Sequence, residues 1–469
     1  MEKEAATTSW SSFVRSLLRC GERAAHIART IRSEESLFSL LIEEKTGASN
    51  TKLSGSDFKT LADVLIQCCI EAQLTHEYPC LEGRIHGEEE STFTNQLGES
   101  IRVVVDVCAD PGNDAALRSS VDSTASLLCS VLDRNQTASS ALASAVHEPL
   151  DTSALEDEVA RVGVEGCLDL DRIAFWLDPI DNTSGYINSA ESADHSDHAG
   201  IHCVTVLLGV YDVATETPIA GVVVQPFYRR SANCSSNSST SSSKGSDCYW
   251  NGRTLWGVSD GDTQFHSESL KQAAQRTAPS NGHITVIGSR HERSSLVRCL
   301  ESTGNAEVTE NQATSSEEQT SPSENSATSS AKTSLSSSPS ELSSSGGCRG
   351  VRFVSGHGAG YKALCVATGD ADAYLLSTPS TYMWDTCAVQ AVLSSMGGVI
   401  VNYTDALHSV LSCGHVPDWS ALRLRYSFNG IPGEDAPKRW CNTRGLLAVR
   451  DVSLGKHLLS LCPAAQGAT

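Results

Sequence analysis

Asp178-Pro179-Ile180-Asp181-Asn182-Thr183 follows directly on the apolar run Ile173-Ala174-Phe175-Trp176-Leu177. Two carboxylates three residues apart at a strand end, held by a proline turn, can converge on one point from a rigid support, a geometry that suits a metal ion. Three further segments carry carboxylates. Gly87-Glu88-Glu89 offers adjacent glutamates at a strand end, Thr60-Leu61-Ala62-Asp63 puts an aspartate on an otherwise apolar helix, and Trp384-Asp385 opens a late helix. Each alone is ordinary, because an aspartate at a helix start is most often a cap and a glutamate pair most often a solvated face. Oxygen donors alone suit hard cations, whereas soft metals prefer cysteine or histidine. His195, Asp197, His198 and His202 also crowd together, but their spacing fits no closed zinc module and they read as surface residues.

The elements that must position these groups follow from periodicity. Apolar residues at helical spacing predict one long or two successive helices from Trp10 to Glu44, another from Asp57 to His76 capped by Ser56 or Asp57, and further helix from Ala115 to Val146. From Arg172 the texture changes to a strand meander: Ile173 to Leu177, Cys203 to Tyr211, Ile219 to Pro226 and Cys248 to Val258. Later, strands at Ile284 to Ile287, Phe353-Val354 and Ala373 to Leu376 alternate with helices at Ala359 to Ala367 and Thr386 to Met396. A layered α/β or α+β architecture follows. The whole chain of 469 residues is expected to form one catalytic unit of two packed α/β halves, about 1–258 and 283–469. Ser-rich insertions at 231–247 and 302–347 lack aromatic residues and are expected to be disordered.

A net charge of −21 excludes a general nucleic-acid surface, which needs clustered Lys and Arg. It does not exclude a small phosphorylated ligand, since carboxylates bind cations and cations bind phosphate. The 17 cysteines are odd in number and contain no C-x-x-C, which points to reduced thiols. With no signal-peptide core and no run of 18 apolar residues, the expectation is a cytoplasmic protein with no membrane insertion, the monomer favoured.

Taken in order, Asp63, Glu88-Glu89, the D-P-I-D-N-T turn and the Trp384-Asp385 helix ending in Met396-Gly397-Gly398 resemble the metal-binding pattern of the lithium-sensitive inositol phosphatase superfamily. The words Leu40-Leu41-Ile42-Glu43-Glu44-Lys45, Asp57-Phe58-Lys59-Thr60-Leu61-Ala62-Asp63-Val64-Leu65, Phe93-Thr94-Asn95 and Gly358-Ala359-Gly360-Tyr361-Lys362 resemble its branch that acts on inositol polyphosphates. The resemblance covers nearly the whole chain outside the Ser tracts and Gly112 to Arg172. It implies a five-layer αβαβα sandwich of the inositol monophosphatase and fructose-1,6-bisphosphatase type. It also implies Mg²⁺-dependent removal of the 1-phosphate from inositol 1,4-bisphosphate and inositol 1,3,4-trisphosphate, small-molecule substrates of phosphatidylinositol signalling.

Residue by residue, the resemblance implies two or three Mg²⁺ ions per site. Glu88, Asp178 and the carbonyl of Ile180 would hold one, Asp178, Asp181 and Asp385 another, and Asp63 with Glu89 a water or a weaker ion. Thr183 and Glu88 would orient the attacking water, with Asp63 as a further catalytic group. Substrate contacts would fall on Asp181, Asn182, Thr183, Arg290, Gly358, Ala359, Lys362 and Ser380. Two departures stand out: Asn182 replaces the family's Gly or Ser, and Ser289-Arg290-His291-Glu292-Arg293 replaces a Ser-x-Lys segment. A bisphosphate nucleotidase of the same superfamily is disfavoured by Gly360-Tyr361-Lys362 and the N-terminal helix. An inactive scaffold with phosphorylatable Ser-rich loops is disfavoured by the intact acidic set.

Overall fold

A short strand, β1 (Thr7–Ser9), leads into α1 (Trp10–Ser33), where Ser9 caps the first turn by accepting from the Ser12 N–H. The computed structural model of the chain describes residues 6–34, 37–45, 57–107, 113–189, 198–230, 250–274, 283–290, 292, 296–298, 300, 350–414, 416, 418–430 and 438–462. Both Ser tracts lie outside these, as do His195, Asp197, His291 and Arg293. The helical reading of Trp10 to Glu44 holds only to Ser33. Phe38–Leu41 form a 3-10 turn and β2 (Ile42–Lys45) is a strand, antiparallel to β3 (Asp57–Thr60), with Lys45 opposite Asp57. The helix expected from Asp57 therefore starts later, as α2 (Leu61–Glu77). Its cap is Thr60 rather than Ser56 or Asp57: Thr60 Oγ1 accepts from the Ala62 N–H, and Asp63 reaches back to the Thr60 N–H in a capping box.

The chain continues through β4 (Ile85–Gly87) and the ribbon of β5 (Thr92–Thr94) and β6 (Ser100–Arg102). The helix expected from Ala115 to Val146 is two, α3 (Asp114–Cys129) and α4 (Gln136–His147), each begun by an asparagine cap. After α5 (Ser153–Val162) and β7 (Cys167–Asp169), which pairs with β1, comes β8 (Ile173–Asp181), buried along its whole length. A short helix, α6 (Thr183–Asn188), precedes the meander β9 (Thr205–Asp212), β10 (Thr217–Arg230), β11 (Trp250–Asp260) and β12 (Thr263–His266). The first sheet has the order β12-β11-β10-β9-β8-β4, antiparallel except for the parallel pair β4 and β8.

Beyond α7 (Glu268–Ala274), β13 (Ile284–Gly288), β14 (Val351–Ser355), β15 (Ala373–Leu376), β16 (Val399–Asn402) and β17 (Leu446–Val449) form a second sheet in the order β14-β13-β15-β17-β16. The helices among these strands are α8 (Ala359–Thr368), α9 (Met383–Ser395) and α10 (Tyr403–Cys413), with α11 (Val452–Leu461) at the end.

Strand alternation builds five layers from these elements. On β8, Phe175 and Leu177 join α1 and α2 in one core, while Ala174 and Trp176 face α8 and α9 in a second. On β17, Leu446 and Ala448 enter that same middle core, while Leu447 and Val449 pack with α10 and α11 in a third. Helix pair, sheet, helix pair, sheet, helix pair is thus the order of layers. The middle helix α9 lies close on the first sheet because Gly209 and Gly221 face each other on β9 and β10. A Cβ at Gly221 would stand 2.2 Å from the Ala388 carbonyl oxygen. The cysteines among the described residues are free thiols, and no helix among those residues is long and apolar enough to cross a membrane.

Candidate active site

The carboxyl end of β8 is the support that brings the acidic groups together. Its pairing with β9 slips between Asp178 and Asp181, an irregularity of the kind that re-aims side chains next to functional sites. Asp178 Oδ1 accepts from the Ile180 N–H at 3.1 Å, closing the turn, and the Thr183 hydroxyl donates to the Ile180 carbonyl at 3.1 Å. Asn182 adopts a left-handed conformation at φ 70°, where Gly and Asn are the residues best tolerated. The backbone thus accounts for Asn182 in place of glycine. Its Oδ1 turns back to accept from the Gly185 N–H and caps α6, while its Nδ2 is buried without a partner.

Asp181 is held from the other side of the cleft. Its Oδ2 accepts from the Thr205 hydroxyl and the Gly360 N–H, both at 2.9 Å, and its Oδ1 accepts from the Ala359 N–H at 3.1 Å. The start of α8 therefore clamps this carboxylate. Gly358 makes that approach possible, since its φ is +70° and a Cβ there would lie 2.9 Å from Asp181 Oδ2. Asp385 sits in the first turn of α9 and accepts from the Tyr382 N–H. Asp178, Asp181 and Asp385 each offer an oxygen within 4.8 Å of the others. Glu88 follows β4, its N–H bonded to the Leu177 carbonyl at 3.1 Å, and the Gln67 amide clasps the backbone of Glu89.

Burial dominates the electrostatics. Asp178 and Asp385 are pushed well above the usual carboxylate range, first by desolvation and then by each other's neighbours Glu88 and Asp181. Asp181 is raised by burial, opposed by its hydrogen bonds. Desolvation lifts Asp63 to about 7 and Glu89 to about 8. Carboxylates gathered where their charge is this costly need protons or cations, and a donor set made only of oxygen fits hard divalent ions. Asp63 adds an orphan: its Oδ2 caps α2, while its buried Oδ1 has no partner. One cation is already built in. Lys45 places its ammonium 2.7 Å from Glu88 and 2.5 Å from Glu89, with its side chain only 2% exposed. Burial lowers the lysine's pKa, but the charges of Glu88, Glu89 and Asp57 outweigh it and the net direction is upward.

These groups border a cleft of about 580 Å³. Of the expected site residues, Glu88, Asp178, Ile180, Asp181, Asn182, Thr183, Gly358, Ala359, Lys362, Ser380 and Asp385 line it. Asp63 and Glu89 are buried outside the lining, where the charge of Glu88 adds to the upward push of burial on both. Arg290 is not among the lining residues either. Its guanidinium donates to His357 Nε2 at 3.0 Å, beside lining residues Ser289 and Gly358. Lys362 is 7% exposed, its Nζ 5.1 Å from the centre of the Tyr374 ring. His202, expected at the surface, is buried edge-on against Tyr361.

Lys45, Asp57, Thr205, Ser289, Tyr374 and Tyr382 are not among the expected site residues, Asp57 being read from the sequence as a helix cap and Ser289 as part of an altered segment, yet the structure puts them in or against the cleft. For Lys45 the available signal is a lysine directly preceded by two glutamates at the end of an apolar run. Tyr374 lies in an apolar strand and carries no signal of its own.

Residues 126–419 match the family model described as the inositol monophosphatase family. Over 461 residues the chain is 34% identical to an inositol polyphosphate 1-phosphatase of Mus musculus, covering 97% of this chain and 98% of the relative. It is 35% identical to the protein of the same name from Homo sapiens over 456 residues, 96% of this chain and 97% of that one. A 3'(2'),5'-bisphosphate nucleotidase 1 of Dictyostelium discoideum is 25% identical over 235 residues, 50% of this chain and 53% of the relative. With its acidic cleft and a match that runs from end to end, the chain belongs to the inositol monophosphatase family.

Proposed function

We propose that the chain is a Mg²⁺-dependent, lithium-sensitive phosphomonoesterase that removes the 1-phosphate from inositol 1,4-bisphosphate and inositol 1,3,4-trisphosphate. The observation that carries this reading is the convergence of Asp178, Asp181 and Asp385 within 4.8 Å in a cleft that Glu88 also lines. The polyphosphate preference follows the names of the relatives matched over nearly full length, whereas the nucleotidase match covers half the chain.

Glu88, Asp178 and the Ile180 carbonyl would hold one Mg²⁺, Asp178, Asp181 and Asp385 a second, and Asp63 with Glu89 a water or a weaker third. When bound, these ions supply positive charge to the phosphate and the leaving oxygen and make water a better nucleophile. The chain's own residues supply orientation. Thr183 donates to the Ile180 carbonyl, which leaves its oxygen lone pairs to accept a hydrogen bond from the attacking water. Glu88 is the carboxylate that takes the opposite side of that water and its proton. The Asn182 amide, unpartnered and in the cleft lining, donates to phosphate oxygens alongside the Thr183 N–H. Ser380 and the Gly358-Ala359 backbone frame the ring, and Lys362 with Arg290 supplies cationic charge for the phosphate that is retained. Lithium sensitivity belongs to the Asp181 and Asp385 side. Free thiols among the described residues fit a cytoplasmic enzyme.

Phosphorus NMR of inositol 1,4-bisphosphate turned over with Mg²⁺ identifies which phosphate leaves. Loss of the 1-phosphate with retention of the 4-phosphate is expected. Loss of the 4-phosphate, or faster turnover of adenosine 3',5'-bisphosphate, would overturn the assignment.

A further inference from the structure

The cleft contains a donor that the mechanism above does not use. Tyr374 is fully buried on β15 yet lines the cleft, and its hydroxyl has no hydrogen-bond partner. Alternation fixes its direction: Ala373 and Leu375 enter the outer core, while Tyr374 and Leu376 enter the middle one on the cleft side. A buried hydroxyl left unpaired is destabilising, and phenylalanine would fill the same space without that cost. The residue therefore reads as a donor kept for something other than packing.

Its surroundings say what that something is. Lys362, from α8, lies over the same ring, is only 7% exposed, and makes no ion pair among the described residues. Two buried donors from different elements thus share one cavity and await acceptors. After burial itself, the charges that bear on the phenol are those of Asp385, Asp181 and Glu292, and the first two belong to carboxylates that line the same cleft as Tyr374. Glu292 is already engaged, accepting from the Ser377 N–H and hydroxyl, so it does not satisfy the phenol.

We infer that Tyr374 is a substrate-binding residue whose hydroxyl donates to an oxygen of the bound inositol phosphate on the leaving-group side of the cleft, with Lys362 supplying charge beside it. A ligand dense in hydroxyl and phosphate oxygens is the chemistry that satisfies both donors at once. The inference rests on the phosphatase reading for its ligand, but binding tests it apart from turnover.

Tyr374→Phe removes only the hydroxyl. Its affinity for inositol 1,4-bisphosphate, titrated calorimetrically with Ca²⁺ in place of Mg²⁺, should fall at least about tenfold, as for a lost hydrogen bond to a charged group. The unfolding midpoint of the ligand-free variant should equal or exceed that of the wild type, a direction that a structural role for the hydroxyl would reverse. Lys362→Met should weaken the same titration. Unchanged affinity in Tyr374→Phe, or a lowered midpoint that accounts for the weaker binding, overturns the inference. If the wild type binds inositol 1,4-bisphosphate but does not hydrolyse it, the phosphatase reading fails while the Tyr374 contact is still decided by the titration. If the wild type does not bind it, both fall.

Discussion

Lys45→Met tests how the cleft tolerates its own acidity. The substitution keeps an unbranched apolar stem but removes an ammonium that lies 2.7 Å from Glu88 and 2.5 Å from Glu89. Breaking a buried ion pair by removing one partner costs about 3–5 kcal/mol. The loss here is bounded from above, because Glu89, raised by burial to about 8 even beside the lysine, already holds its proton at neutral pH in the metal-free protein and keeps it once the lysine is gone. The charge left exposed to low dielectric is then mainly that of Glu88, which favours the lower end, about 3 kcal/mol. At roughly 2–4 °C per kcal/mol for domains of 150–250 residues, and less for a longer chain, the metal-free midpoint should drop by about 3–8 °C. A Mg²⁺ bound as proposed would replace the missing charge, so it should raise the variant's midpoint by more than the wild type's. Thermal unfolding in chelator and in saturating Mg²⁺ measures both. A metal-free midpoint within about 1 °C of the wild type, or equal stabilisation of both proteins by Mg²⁺, would refute the reasoning.

Asp178→Asn should leave the fold intact and lower Mg²⁺-dependent phosphate release more than about 100-fold, the scale of one large electrostatic contribution; initial rates at saturating Mg²⁺ check this. Gly358→Ala forces a side chain into a position at φ +70° and 2.9 Å from Asp181 Oδ2. It should cost about 1–3 kcal/mol of stability and weaken cation binding, read by urea unfolding and Mn²⁺ titration. Asp178 and Asp385, raised by burial, together with Asp63 at about 7 and Glu89 at about 8, hold protons in the folded metal-free protein that the unfolded chain has released near pH 4. Their favourable contribution is complete below the unfolded pKa and is lost as pH rises through the folded values. Metal-free stability should therefore fall as pH rises from about 4 to about 8.5, and saturating Mg²⁺ should flatten the slope. Midpoints that rise with pH across that window without metal would contradict this.

The turn from Asp178 to Thr183 is legible in the sequence because its signal is local: an apolar strand, a proline and two carboxylates at fixed spacing. Bringing Asp385 and Glu88 to the same point is not local, and only the resemblance supplied it. The strand β2 reads as a continuation of α1 because Leu40, Leu41 and Ile42 extend the helical apolar pattern. What makes it a strand is pairing with β3, a partner later in the chain. The same pairing moves the start of α2 to Thr60, although the Thr60 and Asp63 capping box was available as a local cue. Lys45 is invisible as a site residue until that ribbon carries it to Glu88 and Glu89. In the sequence Asn182 stands out only as a departure from the family's Gly or Ser, and its left-handed backbone with the side chain folded onto Gly185 explains why it is accommodated.

The central claim is that the carboxylate cluster holds the cation on which phosphate release depends. It is tested most directly by stripping the protein of metal and measuring inorganic phosphate released from inositol 1,4-bisphosphate as Mg²⁺ is returned, for the wild type beside Asp385→Asn. No release without metal, a saturable rise with Mg²⁺ in the wild type, and little or none in the variant is the predicted result. Release that is independent of Mg²⁺, or equal in the two proteins, would contradict it.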